Sequence, residues 1–135
     1  MNPLIEVITS KAPEVRNRSL RDLCDSMSTA DLLVACEELE SFRLATNNLY
    51  ERVRATLFLY SIYRFHLGET PDLPDTGAIP PEGYADLLER RFEQAIRRFR
   101  NAARDGLNAA LASALAESYH HLAFQTLTDQ VRRSV

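Results

Sequence analysis

Residues 49–67 read LYERVRATLFLYSIYRFHL, and their character changes along the stretch. The first turns alternate charged and apolar side chains, whereas the part from Leu57 to Leu67 is apolar on nearly every side of a helix. A helix without a polar face is normally surrounded by other helices. Since Asn48 can cap the start of such a helix, the sequence predicts an all-α protein in which a central apolar helix spans residues 48–67.

The segments on both sides carry amphipathic helical patterns. Ser19 can begin a short helix, and Ser28 can cap a longer one whose apolar positions recur at three- and four-residue spacing as far as Phe42. Further helices are predicted over 81–104 and 107–131, and no segment shows a strand pattern. We therefore expect a bundle of about five helices, with room for an extra turn at the N-terminus.

The same apolar positions predict the core. The large side chains expected to be buried are Phe42, Leu57, Tyr60, Phe92 and Phe99. The inner face predicted for the helix over 81–104 comprises Tyr84, Leu88, Phe92, Ala95, Ile96 and Phe99. Arg64 falls on an apolar side of the central helix, so that its burial would require a carboxylate partner such as Glu37 or Glu40.

Length and composition favour one domain over 1–135. The chain has 135 residues, of which 45% are hydrophobic and 26% charged, so it is neither disordered nor of low complexity. Residues 68–83 form a long loop rich in Pro, Gly and acidic side chains. Because the helices on both sides of this loop have apolar faces that need each other, we expect the loop to lie against the bundle rather than to link two domains.

No feature of the sequence indicates a membrane protein or a catalytic motif. The apolar stretch that includes Arg54 and Arg64 is too short to cross a bilayer, and the N-terminus lacks the basic region of a signal peptide. Cys24 and Cys36 lie on apolar stripes and are expected to be small core residues. Gly-rich phosphate loops and nucleophile motifs are absent. The sequence predicts a soluble, cytoplasmic protein, and it assigns no catalytic residue and no cofactor.

One histidine-containing motif offers an alternative function. Glu117 and His120 form a Glu-x-x-His, which in di-iron helical bundles occurs twice and is completed by two further Glu. Here it occurs once. With His121 and His66 it could form a metal site of a small helical enzyme or metal-binding domain, but we favour ordinary packed or solvated histidines.

Arginines on one predicted helix offer a second alternative. Arg90, Arg97, Arg100 and Arg104 are expected on an outward basic face, which could bind phosphate or nucleic acid. The chain carries a net charge of −3, and its aromatic side chains fall on the buried faces rather than among the arginines. Both observations argue against nucleic-acid binding and favour a solvated face.

The last helix has two apolar faces. Its inner stripe runs from Leu107 to Leu122, and a second stripe on another side comprises His120, Phe124, Leu127 and Val131. One bundle cannot bury both faces, so the second stripe is predicted to be an interface. Either a second copy of the chain or a C-terminal continuation is expected to cover it, since no Gly or Pro stop signal ends the helix.

Two stretches resemble a known group of proteins. They are residues 48–54 (NLYERVR) with 63–67 (YRFHL), and residues 119–127 (YHHLAFQTL) with 129–135 (DQVRRSV). They are similar to the N-terminal helical portion of large uncharacterised bacterial proteins whose later segments look like GHMP-class sugar kinases. The resemblance implies an accessory domain, which could be the N-terminal module of a longer chain. It supplies no kinase site, because the phosphate loop of those kinases has no counterpart here.

These patterns favour a non-enzymatic helical interaction or accessory module. Such a module would self-associate or dock onto a larger enzyme through the C-terminal helix, making it part of a homo-oligomer or of a complex with a protein partner. The metal-binding and basic-face interpretations stay open as alternatives.

Overall fold

The structure, a computed structural model, describes residues 2–71, 73–74 and 77–134. Over these residues the chain is all helical and has no strand, as predicted. They form eight α-helices, and the fifth continues directly into a π-helical segment, Ile62–Leu67. The α-helices are α1 (Pro3–Thr9), α2 (Pro13–Arg16), α3 (Leu20–Asp25), α4 (Thr29–Ala45), α5 (Leu49–Ser61), α6 (Pro81–Leu88), α7 (Phe92–Ala103) and α8 (Ala109–Arg133). None of these described helices is long and apolar enough to cross a membrane.

The N-terminal segment contributes more structure than the single extra turn that the sequence suggests. The side chain of Asn2 accepts a hydrogen bond from the backbone N–H of Leu4, and Pro3 occupies the first turn of α1. Leu4, Val7 and Ile8 are buried in the main core cluster. The short helix α1 is therefore part of the core and packs against α4 and α5.

The long apolar helix is buried on one side and exposed on the other. The side chains that α5 and the π-helical segment bury are Ala55, Thr56, Phe58, Leu59, Ile62, Tyr63 and Leu67. Leu57 is 39% exposed, so its predicted place in the core is wrong. Phe65 is also exposed. The reason is geometric: α4 and α8 pack against α5, and together they leave the side with Leu57 open.

The helix predicted over 81–104 is broken into α6 and α7. Arg90 adopts a left-handed backbone conformation with φ of 65°, and the backbone N–H of Arg91 donates back to the carbonyl of Asp86 at 2.8 Å. In the resulting helix α6, Tyr84 and Leu88 are exposed, so their predicted place on the inner face is wrong. Gly83 instead faces the ring of Phe99, where a Cβ would lie 2.6 Å from a ring carbon.

The described part of the 68–83 loop lies against the helices. Leu73 and Ile79 pack on the core, and the carbonyl of Pro74 accepts a hydrogen bond of 3.0 Å from the backbone N–H of Ala109, at the start of α8. Asp72, Asp75 and Thr76, in the same loop, fall outside the described residues.

Most other core predictions agree with the structure. Phe92 and Phe99 are buried, whereas Phe42 and Tyr60 are partly buried and pack against the core. Cys24 and Cys36 are buried free thiols, and burial raises the pKa of Cys24 to about 11 and that of Cys36 further.

Candidate interaction surface

The outer side of α8 exposes large apolar side chains. Asn108 caps this helix by accepting a hydrogen bond of 2.8 Å from the backbone N–H of Leu111. Its buried side chains extend only as far as Ala123. Beyond that point Phe124 is 58% exposed, Leu127 43% and Val131 62%. The predicted second stripe therefore exists as an exposed surface; what covers it stays a prediction.

A groove between α5 and α8 continues this surface. Leu127 lines it from α8, and four side chains of α5 form its other wall and floor: Leu49, Tyr50, Val53 and Leu57. The cavity measures about 320 Å³, and among the described residues Arg54 is the one charged side chain that lines it. Nothing in the sequence of α8 indicates this second wall, because contacts between distant helices cannot be read from periodicity.

Arg54 is held in place at the edge of the groove. Its guanidinium donates to the backbone carbonyls of Val7 and Arg16 and to the hydroxyl of Tyr50, the last at 3.0 Å. It also lies 5.2 Å from the centre of the Phe58 ring. These contacts fix one wall of the groove to α1 and α2, so that the apolar lining is preformed.

A row of rings extends the surface in the other direction along α8. The ring of His120 lies 4.9 Å from that of Phe124 and 4.9 Å from that of Tyr60. Tyr60 in turn meets Phe65 edge-on at 6.0 Å. His120 is only partly exposed, and it joins the apolar end of α8 to the π-helical segment.

We call these residues the α5–α8 apolar surface. Its members are Leu49, Tyr50, Val53, Leu57, Tyr60, Phe65, His120, Phe124, Leu127 and Val131. An aromatic side chain alone has roughly 150–250 Å² of surface, so these partly exposed side chains present an apolar area of several hundred Å². An area of about 300–600 Å² is the largest patch that a monomer typically exposes, and such patches mark interaction sites.

The four arginines predicted to form one basic face do not do so. Arg100 turns toward α4, where it donates to Glu37 at 2.7 Å and lies 3.8 Å from Glu40. Arg90 lies over the ring of Phe92, and Arg97 and Arg104 are exposed. The prediction is wrong for Arg100 because this residue follows the buried Phe99 and lies four residues after the buried Ile96, at the edge of the packed face of α7.

Of the alternative metal ligands, His66 lies apart from Glu117, His120 and His121, which neighbour one another on α8: the rings of His120 and His121 are 5.9 Å apart, and His121 lies 3.7 Å from Glu117. His66 lines a cavity beside α3, together with Asp25 and Glu69, whereas His120 and Glu117 line another cavity between α5 and α8. His121 stacks on Phe92 at 5.3 Å. Across the part of the chain that the structure describes, no group of three or more His, Cys, Asp or Glu side chains could hold a metal ion.

Sequence reasoning missed a buried ionic network. Arg43 is only 2% exposed and donates to both carboxylate oxygens of Glu40, each at 2.8 Å, and to both of Glu93. The hydroxyl of Tyr119 donates to Glu40 at 2.8 Å. Arg64, for which a carboxylate partner is expected, is exposed instead. The sequence feature that could have indicated this network is that Arg43 follows Cys36 and Glu40 along the apolar stripe of α4.

The network holds its charges in their ionised forms. Burial alone would raise the pKa of Glu40, but its hydrogen bonds from Arg43 and Tyr119 lower that pKa overall. Burial alone would lower the pKa of Arg43, and its bonds to Glu40 and Glu93 raise it. The network joins three helices, because Arg43 of α4 binds Glu93 of α7 and Tyr119 of α8 binds Glu40 of α4.

No family model, curated protein or solved structure matches this chain. The resemblance to helical portions of kinase-related bacterial proteins therefore stays a prediction.

Proposed function

We propose that the chain is a non-enzymatic helical interaction module that self-associates through the α5–α8 apolar surface. The observation that carries this proposal is the continuity of that surface: the exposed end of α8, the groove formed with α5 and the row of rings around His120 adjoin one another. Burial of apolar surface stabilises an association by about 25 cal/mol per Å² before the costs of association.

A rigid support favours this use of the surface. In this proposal five main helices, namely α4, α5 with its π-helical continuation, α6, α7 and α8, form a bundle around α5. The ionic network of Glu40 and Arg43 ties α4 to α7 and α8 from below, and Arg54 braces the groove. A preformed apolar surface loses little conformational entropy on binding.

A second copy of the chain is the occupant that fits best. A two-fold symmetric interface uses the same patch on both sides, so the patch must complement itself. An apolar patch does so without any pairing of opposite charges. The resemblance noted from the sequence would place the resulting dimer beside a larger enzyme as an accessory domain, which is a further part of the proposal.

Sedimentation velocity over a range of protein concentrations tests self-association. The test variant is Phe124→Glu, Leu127→Glu, which places two charges on the surface. The control is Val34→Glu, Leu88→Glu, which adds the same charges at exposed apolar positions on α4 and α6. We expect the wild type and the control to form dimers and the test variant to stay monomeric, with equal helical circular dichroism in all three.

Two results would contradict the proposal. The first is a wild type that stays monomeric up to millimolar concentration. The second is an equal loss of association in the test and control variants, which would show that net charge rather than the α5–α8 apolar surface governs association.

A further inference from the structure

The charged side chains beside the exposed stripe of α8 bear on the orientation in which two copies of the chain would pair. Glu117 lies on the same side of the helix as Phe124, seven residues before it, and its side chain is 60% exposed. Val131 lies seven residues after Phe124, and Arg132 follows it. Seven residues make about two helical turns, so Glu117 and Val131 lie at the two ends of the exposed apolar stripe. Arg132, about 100° further round the helix than Val131, places a basic side chain at the edge of that second end.

Both charged groups are available to a partner. Arg132 is exposed and forms no ion pair with the described residues of its own chain. Among the described residues Glu117 makes one ion-pair contact, with His121 at 3.7 Å, which attracts it only when the imidazole is protonated, and Arg64 lines the same cavity as Glu117. Neither side chain takes part in the buried network, so a partner can pair with them without disturbing the fold.

We infer that two copies pair their α8 helices in an antiparallel arrangement, with the two-fold axis beside Phe124, and this inference rests on the proposed function. In that arrangement Glu117 of each copy lies level with Val131 and Arg132 of the other, because both are about two turns from the axis. Two symmetric Glu117–Arg132 ion pairs then close the ends of the apolar contact.

A parallel arrangement of the same two helices is electrostatically worse. It places Glu117 of one chain beside Glu117 of the other, and Arg132 of one chain beside Arg132 of the other. Like charges at an interface oppose association. The antiparallel arrangement replaces both repulsions with attractions. Opposite charge at the two ends of one stripe thus selects the relative direction of the helices, while the apolar side chains supply the affinity.

The apolar area alone is smaller than that of a standard interface. A standard interface buries about 800 Å² on each partner, and the apolar part of the contact comes from the several hundred Å² of the α5–α8 apolar surface. The remainder would have to come from polar side chains in the last turns of α8, where Asp129, Gln130 and Arg133 are exposed.

Charge reversal tests the arrangement. We expect Glu117→Arg and Arg132→Glu each to weaken dimerisation about tenfold, because each creates two like-charge contacts per dimer. The double variant Glu117→Arg, Arg132→Glu should return to within about threefold of the wild type, since it restores two opposite pairs. The charge-matched controls Glu82→Arg and Arg97→Glu lie on exposed positions of α6 and α7 and should leave the dissociation constant unchanged.

The outcomes separate this inference from the proposed function. If the wild type dimerises and the single reversals bind as tightly as it does, the antiparallel arrangement is wrong and self-association stands. If both singles weaken the dimer and the double variant fails to recover, the Glu117–Arg132 pairing is wrong. A wild type that never dimerises overturns the proposed function itself, and the arrangement with it.

Discussion

Glu40 illustrates how much of this fold depends on one buried carboxylate. It is 2% exposed, and its oxygens accept hydrogen bonds from Arg43 and from the hydroxyl of Tyr119. Removing one partner of a buried charge pair typically costs about 3–5 kcal/mol, because the other charge is left uncompensated. Glu40 therefore links α4 to α8 through the hydroxyl of Tyr119.

Tyr119→Phe should lower the free energy of unfolding by about 1–3 kcal/mol, because it removes a hydrogen bond to a charged group inside the protein. Urea denaturation followed by circular dichroism measures the change. Tyr84→Phe removes a hydroxyl from an exposed side chain and should change stability by less than about 0.5 kcal/mol. Equal effects of the two variants would show that the Tyr119–Glu40 bond contributes nothing.

Stability should fall in acid, and part of the fall should belong to Glu40. Its pKa is lowered in the folded state, so the stability from its ionised form is complete above the ordinary value of 4.5 and is lost as the pH drops through the lower, folded value. Below pH 4.5 the free energy of unfolding of Glu40→Gln should therefore depend less steeply on pH than that of the wild type. Identical slopes in urea denaturation series would refute this assignment.

The corner between α6 and α7 depends on a residue in an unfavourable backbone conformation. Glycine adopts a positive φ without the steric cost that Arg90 bears. Arg90→Gly should therefore stabilise the protein by about 0.5–1 kcal/mol, less whatever its contact with Phe92 contributes. Arg97→Gly, in the exposed interior of α7, should instead destabilise it by about 1 kcal/mol. Thermal unfolding of both variants gives the comparison, and a loss of stability in both would contradict the role of the corner.

Local signals predict some helices and not others. Ser28 and Asn48 are observed N-caps of α4 and α5, because a cap depends on its own turn alone. The sequence does not predict the α6–α7 break, at which the carboxylate of Asp86 binds Arg91, just before α7, and Arg98 within α7. Helix α1 was missed because seven residues are too few to establish a period.

The candidate surface, like the helices, is only partly predictable from the sequence. The exposed side chains of α8, such as Phe124, were predicted because they repeat along one helix. The opposite wall around Leu49 and Tyr50 was not, because it arises from the way α5 lies beside α8. The sequence places Leu57 in the core, because a helix without a polar face is expected to be buried on every side. One apolar face of this helix, which carries Leu57, is exposed instead.

Cleavage within the 68–83 loop should leave one compact particle. Helix α8, after the loop, packs against α5, before it, and the loop itself bonds to the start of α8 through Pro74. The nicked protein should elute as a single species of unchanged size and separate only in denaturant. Size-exclusion chromatography with mass spectrometry checks this. Two folded fragments that part in native buffer would show two domains instead of one.

In the proposed dimer the α5–α8 apolar surfaces of two chains meet, and cross-linking at Phe124 measures that contact directly. Phe124→Cys, treated with a short bismaleimide, should form a covalent dimer far faster than Val34→Cys, whose site is similarly exposed at 60%. The native thiols add little background, because they are buried and the pKa of Cys24 is raised to about 11. The predicted result is that the Phe124→Cys protein cross-links much faster than the Val34→Cys protein. Equal cross-linking rates at the two positions would contradict the account.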